Sequence, residues 1–189
     1  DSHFPCTISN AYDRRVSAAI GYLDPGTRLR ENLHIHTEHR VKEITFDGTK
    51  ATGVVADHRG QTKTYTSDNV ILCSGALHSP AMLLRSGIGP GGHLNEMGVA
   101  VRADVPGVGQ NLMEHPAIAV SAYLYPHARL DPATRRHIHV GLRYSSELEG
   151  CPQGDIFVAT VAKSAWHPVG ERLASFLGFV NKAYSRGQT

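Results

Sequence analysis

The chain has 189 residues, is 41% hydrophobic and 19% charged, and carries a net charge of +2 at neutral pH. That length holds one full domain or parts of two and can bury roughly 70% of the unfolded surface, and the composition is that of a folded globular chain. No apolar run approaches the ~20 residues of a membrane span, and no basic face points to nucleic acid as a partner.

The densest cationic stretch, with Arg129, Arg135, Arg136, His137 and His139, reads as a solvated loop. Cys6, Cys73 and Cys151 are odd in number and far apart, which suggests neither a disulfide framework nor a zinc site and points to a reducing, cytoplasmic compartment. The opening residues Asp1-Ser2-His3-Phe4-Pro5 lack an initiator Met and the charged and apolar regions of a signal peptide. They suggest a processed, cloned or truncated chain.

In chain order, residues 1–10 read as irregular. The near-helical spacing of Ala11, Val16, Ala19, Ile20 and Leu23 predicts a helix over Tyr12 to Leu23, ended by a turn at Asp24-Pro25-Gly26. Strands are expected at Leu33–Glu38, Val41–Phe46, Lys50–Ala56 and Gln61–Thr66, with Asp47-Gly48 as a strong hairpin turn. The continuous apolar run within Asn69–Ser74 predicts a strand buried on both faces, as in a parallel sheet, with Cys73 as a buried small hydrophobe.

Ser79 as N-cap and Pro80 at the first position predict a helix over Pro80–Arg85, closed by Gly87. A second short helix is expected at His93–Met97, a strand at Val99–Val105 and a loop at Pro106–Gly109. The texture changes near Pro116. Beyond it come strands at Ile118–Leu124, His139–Tyr144, Ile156–Val161 and Leu177–Asn181, and a turn of helix at Gly170–Leu173. No internal repeat or low-complexity tract interrupts the chain.

Small residues closing an apolar strand, as in Cys73-Ser74-Gly75-Ala76, let a ligand approach the backbone. Parallel α/β sheets bind nucleotides beyond the carboxyl ends of their strands, and a following helix adds unpaired N–H groups. On the residues alone this is either a cofactor edge or tight strand–helix packing. The histidine pairs His34/His36 and His137/His139 lack a third ligand at a telling spacing, so no metal is expected. No G-x-S-x-G elbow marks a serine nucleophile.

The stretch Gly75-Ala76-Leu77-His78-Ser79-Pro80-Ala81-Met82-Leu83-Leu84-Arg85-Ser86-Gly87-Ile88-Gly89 resembles the second signature of the glucose–methanol–choline (GMC) oxidoreductases. Other segments are similar in the same order. They are Arg15–Ala19 with Tyr22-Leu23, Asn32-Leu33, Val41, Phe46-Asp47-Gly48, Ala51–Val54, the segment Val105–Pro116 with Glu114 where Asp is usual, and Ser185-Arg186-Gly187.

The resemblance implies an α/β architecture: a partial FAD-binding domain of GMC type with a β-meander over residues 1–116, then the beginning of an α+β substrate-binding domain over 117–189. It implies FAD as cofactor, a small-molecule alcohol as substrate, and hydride transfer from the CH–OH group to the flavin. Val41 matches a residue whose backbone touches the adenine part of FAD, and Ser74 and Gly75 match the strand end near the adenosine.

The family's G-x-G-x-x-G fingerprint is missing. Gly107-Val108-Gly109 follows Pro106 with no clear helix behind it, which rules it out as a phosphate loop. The family's catalytic histidine lies beyond Ser-Arg-Gly, so the resemblance assigns no catalytic residue here. The chain alone is therefore expected neither to hold FAD tightly nor to turn over an alcohol, and to self-associate through an exposed sheet edge. The alternative is a free-standing, non-catalytic remnant domain with a structural or partner-binding role.

Overall fold

The computed structural model describes residues 2–12, 14–131, 133–134, 136–163, 168–180 and 187–188. Arg135, Asn181 and the Ser185-Arg186 pair lie outside the described residues. The chain divides into two compact units, Asp1–Arg30 with Glu114–Tyr184 and Glu31–Met113 with Ser185–Thr189.

The chain opens with strand β1 (Ser2–Pro5), where irregular structure was expected. The helix expected over Tyr12–Leu23 shrinks to α1 (Ala18–Tyr22), because Asn10–Ala11 pair with Arg14–Arg15 instead. Ser17 sets the start of α1 by accepting from the Ile20 N–H at 3.3 Å. The expected turn at Asp24-Pro25-Gly26 opens a second short helix, α2 (Pro25–Arg28). Asp24 accepts from the N–H groups of Gly26 and Thr27 at 2.9 and 3.2 Å, and Pro25 takes the first position.

Three antiparallel strands follow, β2 (Arg40–Asp47), β3 (Lys50–His58) and β4 (Gln61–Thr66). Asp47-Gly48 turns the first hairpin, as its residue types predict. Residues 33–38 form no strand, and neither do residues 69–74. Ile71 is 86% exposed and Cys73 is exposed rather than buried. A strand exists only where a neighbour accepts its hydrogen bonds, and among the described residues no segment pairs with this one.

Helix α3 spans Gly75–Arg85, with Pro80 inside it and Ser74 as N-cap. It starts five residues before the expected position because the Ser79 hydroxyl is turned back to accept from the Ser74 N–H at 3.0 Å. Helix α4 (Gly91–Glu96) follows. The strand expected over Val99–Val105 reduces to a short parallel pairing of Ala103–Asp104 with Ile88–Gly89.

Strands β5 (Ala117–Tyr123), β6 (Ile138–Tyr144), β7 (Ile156–Val161) and β8 (Leu173–Val180) complete a five-stranded sheet in the order β1-β6-β7-β8-β5. All its pairings are antiparallel. Phe4, Phe157 and Phe179 stack across it, with centroid spacings of 6.0 and 5.9 Å. Asp155 closes the β6–β7 connection. The backbone N–H and then the hydroxyl of Ser146 donate to it at 2.8 and 2.7 Å and hold its carboxyl below the usual carboxylate range.

Full burial is sparse. The accessible surface is 14267 Å², whereas two independent units of half this mass would expose about 10,700 Å² together. Much apolar surface is therefore uncovered. The packed part of the second unit centres on Ile44, Ala56, Met82 and Leu94, each under 9% exposed.

Buried Ser86 joins helix to meander there. Its hydroxyl accepts from the Ile44 N–H at 3.0 Å and donates to the Met82 carbonyl at 2.8 Å. Removing it leaves the Ile44 donor buried without a partner, at a cost of about 1–3 kcal/mol. Ser86→Ala is thus expected to lower the denaturant midpoint of this unit by that equivalent. A loss under about 0.5 kcal/mol, typical of a surface change, would show the hydroxyl to be dispensable.

Candidate functional site

The site expected from sequence lies in the second unit, at the entry to α3 and the start of β2. Residues 70–73 form no strand or helix, with Val70 and Leu72 half-buried and Ile71 and Cys73 exposed. Ser74 and Gly75, both exposed, make the corner into the helix. Gly75 takes a positive φ of 85°, and a Cβ built on it would meet no atom within 4 Å. The positive φ needs glycine, and the empty space beside it lets a ligand come close to the backbone. The first-turn N–H groups of an 11-residue helix have no intrahelical partners and carry the positive end of its dipole.

Val41 is half-buried in β2 opposite Ala56, and the register shifts between Val41 and Glu43. Such a bulge re-aims the backbone, and bulges are common beside functional sites. The neighbouring Lys42 carbonyl accepts from Arg85 Nε at 3.2 Å, and the Lys42 ammonium pairs with Asp57 at 3.3 Å. Ser74 and Gly75 are thus adjacent at one end of α3, whereas the start of β2 is tied to residues at the other end. No hydrogen bond or ion pair among the described residues joins Val41 to Ser74 or Gly75.

One feature ahead of Val41 was missed from sequence. His36, His39, His58 and Tyr65 form a ring cluster. His39 stacks on His58 at 4.2 Å, while His36 lies 5.2 Å from His39 and 5.0 Å from Tyr65. His39 Nε2 is buried without a hydrogen-bond partner, and Glu38, at φ 57°, binds Arg59 at 2.8 Å. The cluster clips residues 36–39 onto the meander and so sets the approach to Val41. The only signal in the sequence was the count of histidines. Their contacts join positions about twenty residues apart, which no local spacing exposes.

The sequence model of the GMC oxidoreductases matches residues 2–117. The chain belongs to the GMC oxidoreductase family. It is 42% identical over 99% of its length to 5-(hydroxymethyl)furfural oxidase from Methylovorus sp., covering 35% of that protein. It is 48% identical over 56% of its length to an oxygen-dependent choline dehydrogenase from Paraburkholderia phymatum, covering 18% of it.

Among solved structures, pyridoxine 4-oxidase from Mesorbium loti superposes with a TM-score of 0.81 at 28% identity, over 98% of this chain and 38% of that one. This GMC chain therefore spans about a third of the relatives it matches along its whole length. Its mixed helix–strand fold, built mainly of antiparallel sheets, is part of the family's fold. FAD is the family's cofactor. The open, left-handed Gly75 and the unpaired helix N-terminus fit a bulky polar ligand at close range. No helix among the described residues is long and apolar enough to cross a membrane.

Two glycines of the GMC signature differ in their surroundings. A Cβ on Gly87, at φ 83°, would lie 2.4 Å from the Ala100 carbonyl oxygen, whereas Gly75 faces open space. Gly75→Ala is expected to cost only left-handed strain, about 1–2 kcal/mol. Gly87→Ala should cost more, because the backbone of residue 100 must also move. Chemical denaturation of both variants checks the order, and an equal loss would mean that Gly75 is packed as tightly as Gly87.

Proposed function

We propose that this chain is the adenosine side of an FAD site, together with the opening of a substrate domain, in an oxidoreductase that acts on the CH–OH group of an alcohol. The observation that carries the reading is the close relation to 5-(hydroxymethyl)furfural oxidase along nearly the whole chain. Bound flavin supplies the acceptor for the hydride that leaves the carbinol carbon. The chain's own residues bind and position: the Val41 backbone meets the adenine, and Ser74 and Gly75 let the adenosine lie against the start of α3.

The pyrophosphate needs a glycine-rich turn before a helix, and the hydroxyl proton needs a base within reach. This chain assigns no residue to either task, so by itself it holds FAD weakly and is inactive. A hydroxymethyl group on an aromatic ring is the substrate class we infer, because the relation to the furfural oxidase extends through the substrate side, while that to choline dehydrogenase covers little more than half the chain. A reducing, cytoplasmic setting belongs to the same reading, supported by free Cys73 at the surface.

The test uses the full-length enzyme that carries this segment. Gly75→Val is expected to lower bound FAD per mole, read from the flavin spectrum, and Val41→Ile to leave FAD affinity within about twofold, since a backbone contact ignores side-chain size. Equal flavin content in Gly75→Val and parent would sink the cofactor assignment, whatever stability the left-handed strain costs. A large loss with Val41→Ile would replace the backbone contact by a side-chain pocket. Faster turnover of choline than of furfuryl alcohols would overturn the substrate class alone.

A further inference from the structure

We propose that Arg85 is a positioning residue for the cofactor: through the Lys42 carbonyl it fixes the bulge that aims the Val41 backbone at the adenine. The inference rests on the FAD reading above and adds to it the side chain that sets the Val41 contact.

Strand β2 is an edge strand of the three-stranded sheet. Its ladder with β3 pairs Val41 with Ala56 and Glu43 with Val55, which leaves Lys42 as the extra residue of the bulge. A main-chain group without a ladder partner bonds elsewhere or to water. Here the partner comes from α3. Arg85 Nε donates to the Lys42 carbonyl at 3.2 Å, and the hydroxyl of the next residue, Ser86, accepts from the Ile44 N–H at 3.0 Å. Two consecutive helix residues thus grip two main-chain positions of one strand, one on the bulge and one just past it. Planar peptide units leave only two soft dihedrals per residue, so fixing the Lys42 carbonyl restricts the Val41 peptide group beside it.

The two grips differ in what they do. Ser86 is buried, so its bond satisfies a donor that water cannot reach, and its loss lowers stability. Arg85 and Lys42 are exposed, and water can take the place of the guanidinium. What Arg85 adds is direction. Its Nε projects from a helix that Ser86 already holds, and that fixes where the Lys42 carbonyl points. The other hold on Lys42 is through its ammonium, 3.3 Å from the Asp57 carboxylate. The Gly60 N–H donates to the same carboxylate at 2.8 Å, and with Lys42 it keeps Asp57 below the usual carboxylate range. An exposed ion pair on a flexible stem fixes little by itself. The side chain of Lys42 is steadied from β3, and its main chain is set by Arg85.

The test uses the full-length enzyme, stripped of FAD and titrated with it. Arg85→Met keeps a long side chain and removes the donor. FAD affinity is expected to fall roughly tenfold, the worth of one net hydrogen bond. The apoenzyme should melt within about 2 °C of the parent, as after a surface change. Amide hydrogen exchange at residues 41–43 of the apoenzyme should quicken, while the Ile44 amide, held by Ser86, keeps the parent rate. Arg85→Lys retains the charge and a donor one atom farther along the side chain, and should recover most of the affinity.

FAD affinity of Arg85→Met within about twofold of the parent overturns the proposal. The proposal then falls alone if Gly75→Val still lowers flavin content, and the FAD reading falls with it if Gly75→Val keeps its flavin. Weaker affinity with unchanged exchange at residues 41–43 also overturns it, because Arg85 then acts on the cofactor by charge alone. So does weaker affinity with an apoenzyme melting temperature lowered by more than about 2 °C, the mark of a merely structural contact.

Discussion

The Ser86 hydroxyl donates to Met82 within α3 and accepts from the Ile44 N–H of β2, and it does so at 4% exposure. A polar group buried this far must be fully bonded, so the pair of bonds fixes one register of helix against meander. Arg85 extends the tie to Lys42, beside the bulge that follows Val41. At the other end of the helix Gly75, at φ 85°, makes the corner into it. The two parts of the candidate cofactor edge are thus fixed by one helix, held at its C-terminal end and open at its N-terminal end.

How much was legible depended on how local each cause was. The meander was legible because Asp47-Gly48 fixes a turn and strand-forming β-branched residues flank it on both sides. Helix α2 follows from Asp24 and Pro25, although the same residues also allow a plain turn. The run of residues 69–74 misled because apolar continuity describes a strand only when neighbours exist. The start of α3 misled because Ser79-Pro80 is a good cap locally, yet its hydroxyl served Ser74 five residues earlier. The pairing of β1 with β6 spans well over a hundred residues and leaves no trace in local pattern.

The site divides in the same way. Val41, Ser74 and Gly75 entered through the likeness to the GMC signature, and no spacing rule would have singled them out. The structure adds physical reasons for two of the three positions: a left-handed corner with empty space at Gly75, and a register shift at Val41. The histidine–tyrosine cluster was beyond sequence reading because it gathers residues from three segments. The large exposed surface belongs to a chain that spans about a third of the relatives it matches along its whole length.

The central claim is that the start of α3 and the start of β2 take up the adenosine side of FAD. Hydrogen exchange of the full-length enzyme, compared with and without FAD, tests it most directly. The account predicts slowed exchange on FAD binding at the amides of residues 74–77 and 41, with those of β6 and β7 unchanged. Unaltered exchange at both segments, with protection confined to parts of the enzyme outside this chain, would contradict it.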